Sequence, residues 1–289
     1  MMNQKSIKLI ECSRDAMQGI HEFIDTDIKA AYINLLLQVG FDTIDFGSFV
    51  SPKAIPQLRD TREVLSKLDL STTRSKLLAI VANLRGVEQA VVHEEITYLG
   101  FPFSISETFQ QRNTNSSIAQ SMDTVKQMLD LCDKHSKTAV VYLSMGFGNP
   151  YGDEWNVEIV EKWANSLVTN GVKILSLSDT TGVSSPEKIH EILPPLVKKF
   201  ENTEIGLHLH STPATRFEKI EAAYESGCRR FDGALKGFGG CPMATDDLTG
   251  NMATEDLIAF LESRNEALNL NMDKWREALV FSQKVFPLY

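Results

Sequence analysis

The chain is poor in cysteine, with four in 289 residues (Cys12, Cys132, Cys228 and Cys241), and no two of them form a CxxC pair. That scarcity argues against a disulfide framework and for a reduced, cytoplasmic setting. Cations are also in deficit: 29 Lys and Arg stand against 38 Asp and Glu, a net charge of −9. General nucleic-acid affinity, which needs a basic surplus, is therefore not expected. An anionic small molecule stays open, because a pocket can be locally basic. No apolar run approaches the ~20 residues of a membrane span, so no membrane partner is expected. The N-terminal "MMNQKSIKLIECS" has too short an apolar stretch for a signal peptide. Neither a low-complexity linker nor a break in composition divides the chain, so one domain over residues 1–289 is expected.

What is present is alternation. Short β-rich runs are expected at Ile7–Glu11, Thr43–Phe46, Lys76–Val81, Glu95–Leu99, Thr138–Leu143, Ile174–Ser178, Glu204–His210 and Arg230–Ala234. Between them the spacing predicts helices such as Thr26–Val39, Arg85–His93, Ser117–His135, Trp155–Thr169, Pro186–Phe200 and Ala214–Ser226. In the first, Lys29, Ala30, Ile33, Leu36 and Leu37 repeat with the period of one buried helix face. Ser185-Pro186 supplies a cap residue followed by an early proline, a helix start signal. Eight strands with intervening helices over ~250 residues fit a TIM (β/α)8 barrel. A doubly wound open sheet shows the same alternation and is the competitor. Residues 254–289 carry helical segments beyond the eighth strand and are expected as a C-terminal helical extension.

A barrel places its active site at the C-terminal ends of its strands. At the end of the seventh, "HLH" projects His208 and His210 to one side while Leu209 faces the other. Such a pair can chelate one divalent metal or can be two hydrogen-bonded core histidines. After the first strand, "SRDAMQ" offers Asp15 as a hard oxygen ligand and Arg14 as a planar donor fork for a carboxylate or enolate. The alternative is a solvated charge pair. Asp45, ending the second strand, points inward if Ile44 faces the helices, or else caps the following turn. Asp179 repeats the theme on the sixth. Beyond the eighth, "GFGGCPMATDDLTGN" carries Cys241, either a proton-transferring thiol on a glycine-hinged loop or a small turn filler.

Taken together, "SRDAMQ", "SFVSPK", "SLSDTTGV", "HLH", "GFGGCPMA" and "GNMATED" occur in one order across most of the chain. The combination resembles the hydroxymethylglutaryl-CoA lyases, within the metal-dependent lyase and Claisen-synthase group of (β/α)8 barrels. Related Claisen synthases carry a Glu-Arg loop in place of Gly-Gly-Cys-Pro, so Cys241 favours the lyase branch. The resemblance implies that Asp15, His208, His210 and Asn251 bind Mg²⁺ or Mn²⁺. It implies that Arg14 stabilises a thioester-derived enolate, that Cys241 sits on a catalytic loop, and that Gln18, Asp45, Asp179 and Glu255 are supporting groups near the substrate. The base that accepts the substrate's hydroxyl proton is expected to be Asp15 or His208. The implied substrate is an acyl-CoA, and the implied assembly is a homodimer. Three departures bear on the acyl group: Asp45 stands where the family usually has glutamate, and Ser211 stands where it usually has aspartate. The segment between Cys241 and Asn251 also reads one residue longer than in the mitochondrial enzymes. A different acyl-CoA or 2-oxo acid is thus the alternative substrate, and a non-catalytic acyl-CoA- or metal-binding barrel the alternative class.

Overall fold

A computed structural model describes residues 6–240 and 249–287. Its strands are β1 (Lys8–Glu11), β2 (Thr43–Ser48), β3 (Lys76–Ile80), β4 (Ile96–Ser104), β5 (Thr138–Ser144), β6 (Ile174–Ser178), β7 (Glu204–His208) and β8 (Arg230–Gly233). All pair in parallel in chain order, and β1 joins β8 from Lys8↔Arg230 to Glu11↔Gly233, closing the barrel. That closure rules out the open doubly wound sheet. The helices are α1 (Ser13–Gln18), α2 (Thr26–Val39), α3 (Thr61–Leu65), α4 (Leu84–Ala90), α5 (Glu107–Thr114), α6 (Ile118–Lys134), α7 (Val157–Thr169), α8 (Pro186–Lys199), α9 (Arg216–Glu225), α10 (Thr254–Ser263) and α11 (Met272–Val285).

Local chemistry accounts for these boundaries. The Asp25 side chain accepts from Asp27 N to open α2, and Gly40 ends it with φ +85°, a left-handed conformation that glycine adopts without Cβ strain. Ser117 and Gln120 form a reciprocal capping box on α6. Ser185 caps α8, with Pro186 in its first turn. On α2, Ala30, Ile33, Leu36 and Leu37 are buried as their period requires. Lys29 on the same face is buried too, its ammonium 2.8 Å from Asp60 Oδ1.

Two strands depart from expectation. β4 continues through Gly100 and Pro102 to Ser104, because β5 pairs with it along its length from Tyr98↔Thr138 to Ser104↔Ser144. β7 stops at His208, where its register with β8 ends at His208↔Asp232. His210 instead forms an isolated antiparallel bridge with Asn251. The stretch expected as an extension also divides. α10 follows β8 and packs on α9, filling the place of the eighth barrel helix. α11 is the addition, laid against α2 with Phe286 edge-on to Tyr32 and Trp275 edge-on to Phe41.

The barrel interior is chemically two-sided. Leu78, Ile80, Val140, Tyr142 and Ile174 of β3, β5 and β6 pack into one apolar cluster. The side formed by β7, β8 and β1 carries Glu204, His208, Arg230, Asp232 and Lys8 instead. The polar side leads up to the C-terminal mouth.

Candidate metal centre at the barrel mouth

α1 begins one residue beyond Cys12, so its short turn carries Arg14, Asp15 and Gln18 across the end of β1. Ser13 Oγ ties this turn to Asp45 O of β2 at 3.1 Å. Asp15, His208 and His210 converge there, one ligand atom from each lying within 4.8 Å of the others. The two imidazoles stand 5.3 Å apart between ring centroids at 63°. Among the described residues, His210 Nε2 is buried with no hydrogen-bond partner. A buried imidazole nitrogen without a partner, beside a carboxylate and a second imidazole, is the donor arrangement a divalent cation takes up. The residues present therefore fit a metal.

Charge sets the protonation here. Burial opposes ionisation of Asp15, but Arg14, His208, His210 and the Asn251 amide together hold its carboxyl below the usual range. Burial, reinforced by His208, pushes the His210 imidazole down to about 4, leaving it neutral at ordinary pH. His208 goes the other way: burial is outweighed by the hydrogen bond and charge of Asp232 and by Asp15, which raise its pKa. Its Nδ1 lies 3.3 Å from Asp232 Oδ2.

Arg14 is buried and held on several sides. Its Nη2 donates to Asp45 Oδ2 at 2.6 Å, Nη1 donates to Asp15 Oδ1 at 2.9 Å, and Nη1 also reaches Gln18 Oε1 at 2.9 Å. Gln18 Nε2 returns to Asp15 Oδ1 at 2.7 Å. Burial raises the Asp45 carboxyl to about 6 against the pull of Arg14. Asp45 thus touches the guanidinium, and Ile44 faces the helices as expected.

Not every anticipated residue joins the cluster in its anticipated role. Asn251 is at the mouth, but it presents Nδ2, donating to Asp15 Oδ2 at 2.7 Å and to Phe238 O at 2.8 Å. To offer Oδ1 to a cation its amide must rotate. Asp179 turns away into a buried pairing with Lys219 Nζ at 3.2 Å and Ser184 N at 3.0 Å. Those partners absorb its carboxylate. Glu255 accepts from Lys236 N at 2.8 Å at the start of α10, where it closes the β8 turn. Cys241 lies outside the described residues.

Three neighbours were not singled out from sequence. Asp232 stands behind His208, Tyr142 meets the His208 ring edge-on at 5.9 Å, and Cys12 lies within 4.8 Å of both His208 and Asp232. The period-2 alternation of β8 is the signal that would have turned Asp232 inward. A cavity of about 480 Å³ opens from Arg14, Asp15 and His208 toward Val50, Asn83 and Arg112. It is large enough for the acyl part of a ligand, with a polar floor and a mixed wall.

The HMGL-like family model matches residues 7–281. Hydroxymethylglutaryl-CoA lyase YngG of Bacillus subtilis is 34% identical over 264 residues, covering 90% of this chain and 86% of that protein. The cytoplasmic 3-hydroxy-3-methylglutaryl-CoA lyase of Rattus norvegicus is 31% identical, covering 94% of this chain and 79% of its own. Among solved structures, an HMG-CoA lyase from Acinetobacter baumannii in complex with coenzyme A and 3-methylmalate superposes with a TM-score of 0.90 at 29% identity. It covers 99% of this chain and 93% of its own. The chain belongs to the HMGL-like family.

Proposed function

We propose that the protein is a cytoplasmic, homodimeric, divalent-metal-dependent carbon–carbon lyase built on a single catalytic domain. It cleaves 3-hydroxy-3-methylglutaryl-CoA to acetoacetate and acetyl-CoA. The observation that carries the reading is the contact of Arg14 with Asp15, which itself converges with His208 and His210 at the floor of the mouth cavity. The named relatives, all lyases of this substrate, support it.

Asp15, His208 and His210 would hold Mg²⁺ or Mn²⁺, with Asn251 joining after its amide rotates. When bound, the ion supplies Lewis acidity to the oxygens of the substrate. Asp15, or His208 while its Nε2 lone pair is free, takes the proton from the tertiary hydroxyl oxygen. The C–C bond then breaks: its electron pair passes to the thioester fragment as an enolate, and the hydroxyl carbon becomes the ketone of acetoacetate. Arg14 directs a guanidinium hydrogen at the enolate oxygen. Cys241 delivers the proton to the enolate carbon, completing acetyl-CoA. Gln18 orients Arg14 and Asp15 through the two bonds it makes with them. The coenzyme A portion leaves through the side of the cavity lined by Val50, Asn83 and Arg112.

Incubation with 3-hydroxy-3-methylglutaryl-CoA and Mg²⁺ should release acetoacetate, and a chelator should stop it. Metal binding without acetoacetate would shift the reading to another acyl-CoA or a 2-oxo acid, for which the shorter reach of Asp45 would be the cause.

A further inference from the structure

We propose that Asp232 and Arg230, on the inner side of β8 beneath the metal centre, are positioning residues that fix which ring nitrogen of His208 faces the metal. The inference deepens the metal-dependent reading and rests on it.

Strand register brings the parts together. His208 lies opposite Asp232 across the β7–β8 pairing, so the carboxylate sits at the flank of the imidazole. The Asp232 side chain is fully enclosed, with Oδ2 3.3 Å from His208 Nδ1. A carboxylate there accepts a proton only from Nδ1, and a neutral ring protonated at Nδ1 keeps its lone pair on Nε2. Nε2 is then the atom left for the Asp15–His210 side. Without that partner the ring is free to take the other tautomer, whose Nε2–H repels a cation.

Arg230 supplies the positive charge that a carboxylate so enclosed requires. Gly206 on β7 makes room for it: a Cβ there would lie 2.7, 2.9 and 3.1 Å from Arg230 Cδ, Cγ and Cβ. The guanidinium Nη1 is 3.2 Å from Glu204 Oε1, and Glu204 also takes Lys8 Nζ at 2.6 Å. Among the described residues its Nε and Nη2 are buried with no hydrogen-bond partner, as are Asp232 Oδ1, Tyr142 Oη and Ser176 Oγ. Arg230 and Asp232 lie two residues apart on one face of β8, so their opposite charges are complementary. Ion pairs run from Lys8 through Glu204 to Arg230, and Asp232, two residues further along β8, meets His208.

The test uses the full chain with ¹⁵N-labelled histidine and Mn²⁺ as the probe. In the metal-free wild type at alkaline pH, His208 should show a protonated Nδ1 and a bare Nε2 in its nitrogen shifts. In Asp232→Asn the ring should populate the Nε2-protonated form, and the Mn²⁺ dissociation constant by calorimetry should rise about 10–100-fold. Arg230→Met should move both readouts in the same direction by a smaller factor. A wild-type ring that is bare at Nδ1 overturns the proposal, even if no variant folds. So does an Asp232→Asn protein that binds Mn²⁺ within about twofold of wild type. A wild type that binds no Mn²⁺ defeats the metal-dependent reading instead, and the nitrogen signature still decides the role of Asp232.

Discussion

Arg14 Nη2 lies 2.6 Å from Asp45 Oδ2, while Nη1 of the same guanidinium lies 2.9 Å from Asp15 Oδ1. Of its five hydrogens, Nε and one Nη2 hydrogen go to Asp45, and the Nη1 pair goes to Asp15 and Gln18. Among the described residues one Nη2 hydrogen is left without an acceptor. Replacing Arg14 with Met should therefore lower kcat by about 10²–10³-fold, the usual cost of losing one preorganised donor at a developing oxyanion. Mn²⁺ affinity should change only a few-fold. Asp45→Asn should lower kcat less, because it loosens the guanidinium without removing it. Steady-state kinetics with calorimetric Mn²⁺ titration would separate the two roles, and an Arg14→Met enzyme of normal kcat would contradict the assignment.

The two histidines should differ as proton competitors for the metal. His210 is held to about 4 by burial and the neighbouring His208, so its lone pair persists through mildly acid solution. His208 is raised by Asp232 and Asp15 against burial, so it carries the proton that a cation must expel. Mn²⁺ binding should release one proton when pH is below the His208 range and none well above it. Calorimetry in buffers of different ionisation enthalpy counts those protons. In His210→Ala the release should persist while affinity falls.

Much of this was legible in the chain because strand periodicity and turn chemistry are local. The β/α alternation, the inward face of "HLH" and the turn carrying Arg14 and Asp15 follow from spacing alone. Three things did not, and each depends on partners distant in sequence. One is the pairing of Asp179 with Lys219, 40 residues away. The fourth strand is expected to end at Leu99, yet pairing with β5 carries it through Gly100 and Pro102 to Ser104. Asp232 belongs to no motif: alternation along β8 turns it inward, but its place at the flank of His208 comes from the β7–β8 register.

Glu11, at the end of β1, offers a stability test away from the metal. Its carboxyl accepts from Leu235 N at 2.9 Å and Thr254 Oγ1 at 2.6 Å, joining β1 to the β8 turn and α10. Burial raises its pKa from 4.5 to about 8, and the two hydrogen bonds offset only part of that rise. The folded state thus holds this proton more tightly than the unfolded state. The stabilisation is complete below about pH 4.5 and is lost as pH rises through 8. Glu11→Gln should remove that slope from urea midpoints measured across the window. A mutant whose midpoint falls with pH as steeply as wild type would show that Glu11 is not the titrating group.

Gly239 leads into the segment that carries Cys241, and its backbone lies directly on the turn bearing Asp15. Its φ is +87°, and a Cβ there would stand 2.7 Å from both Ala16 Cα and Asp15 O. Backbone on backbone cannot yield as a side-chain tip can, so Gly239→Ala must move the segment or the turn. The strained conformation alone costs about 1–3 kcal/mol. We expect Gly239→Ala to lower both thermal stability and Mn²⁺ affinity, because Asp15 is displaced with its carbonyl. Cys241→Ala should behave differently. If the thiol protonates the enolate carbon, kcat falls by orders of magnitude while melting temperature and Mn²⁺ affinity stay near wild type. Normal turnover in Cys241→Ala would remove the thiol from the reaction. Normal Mn²⁺ affinity in Gly239→Ala would mean that the segment shifts and the turn does not.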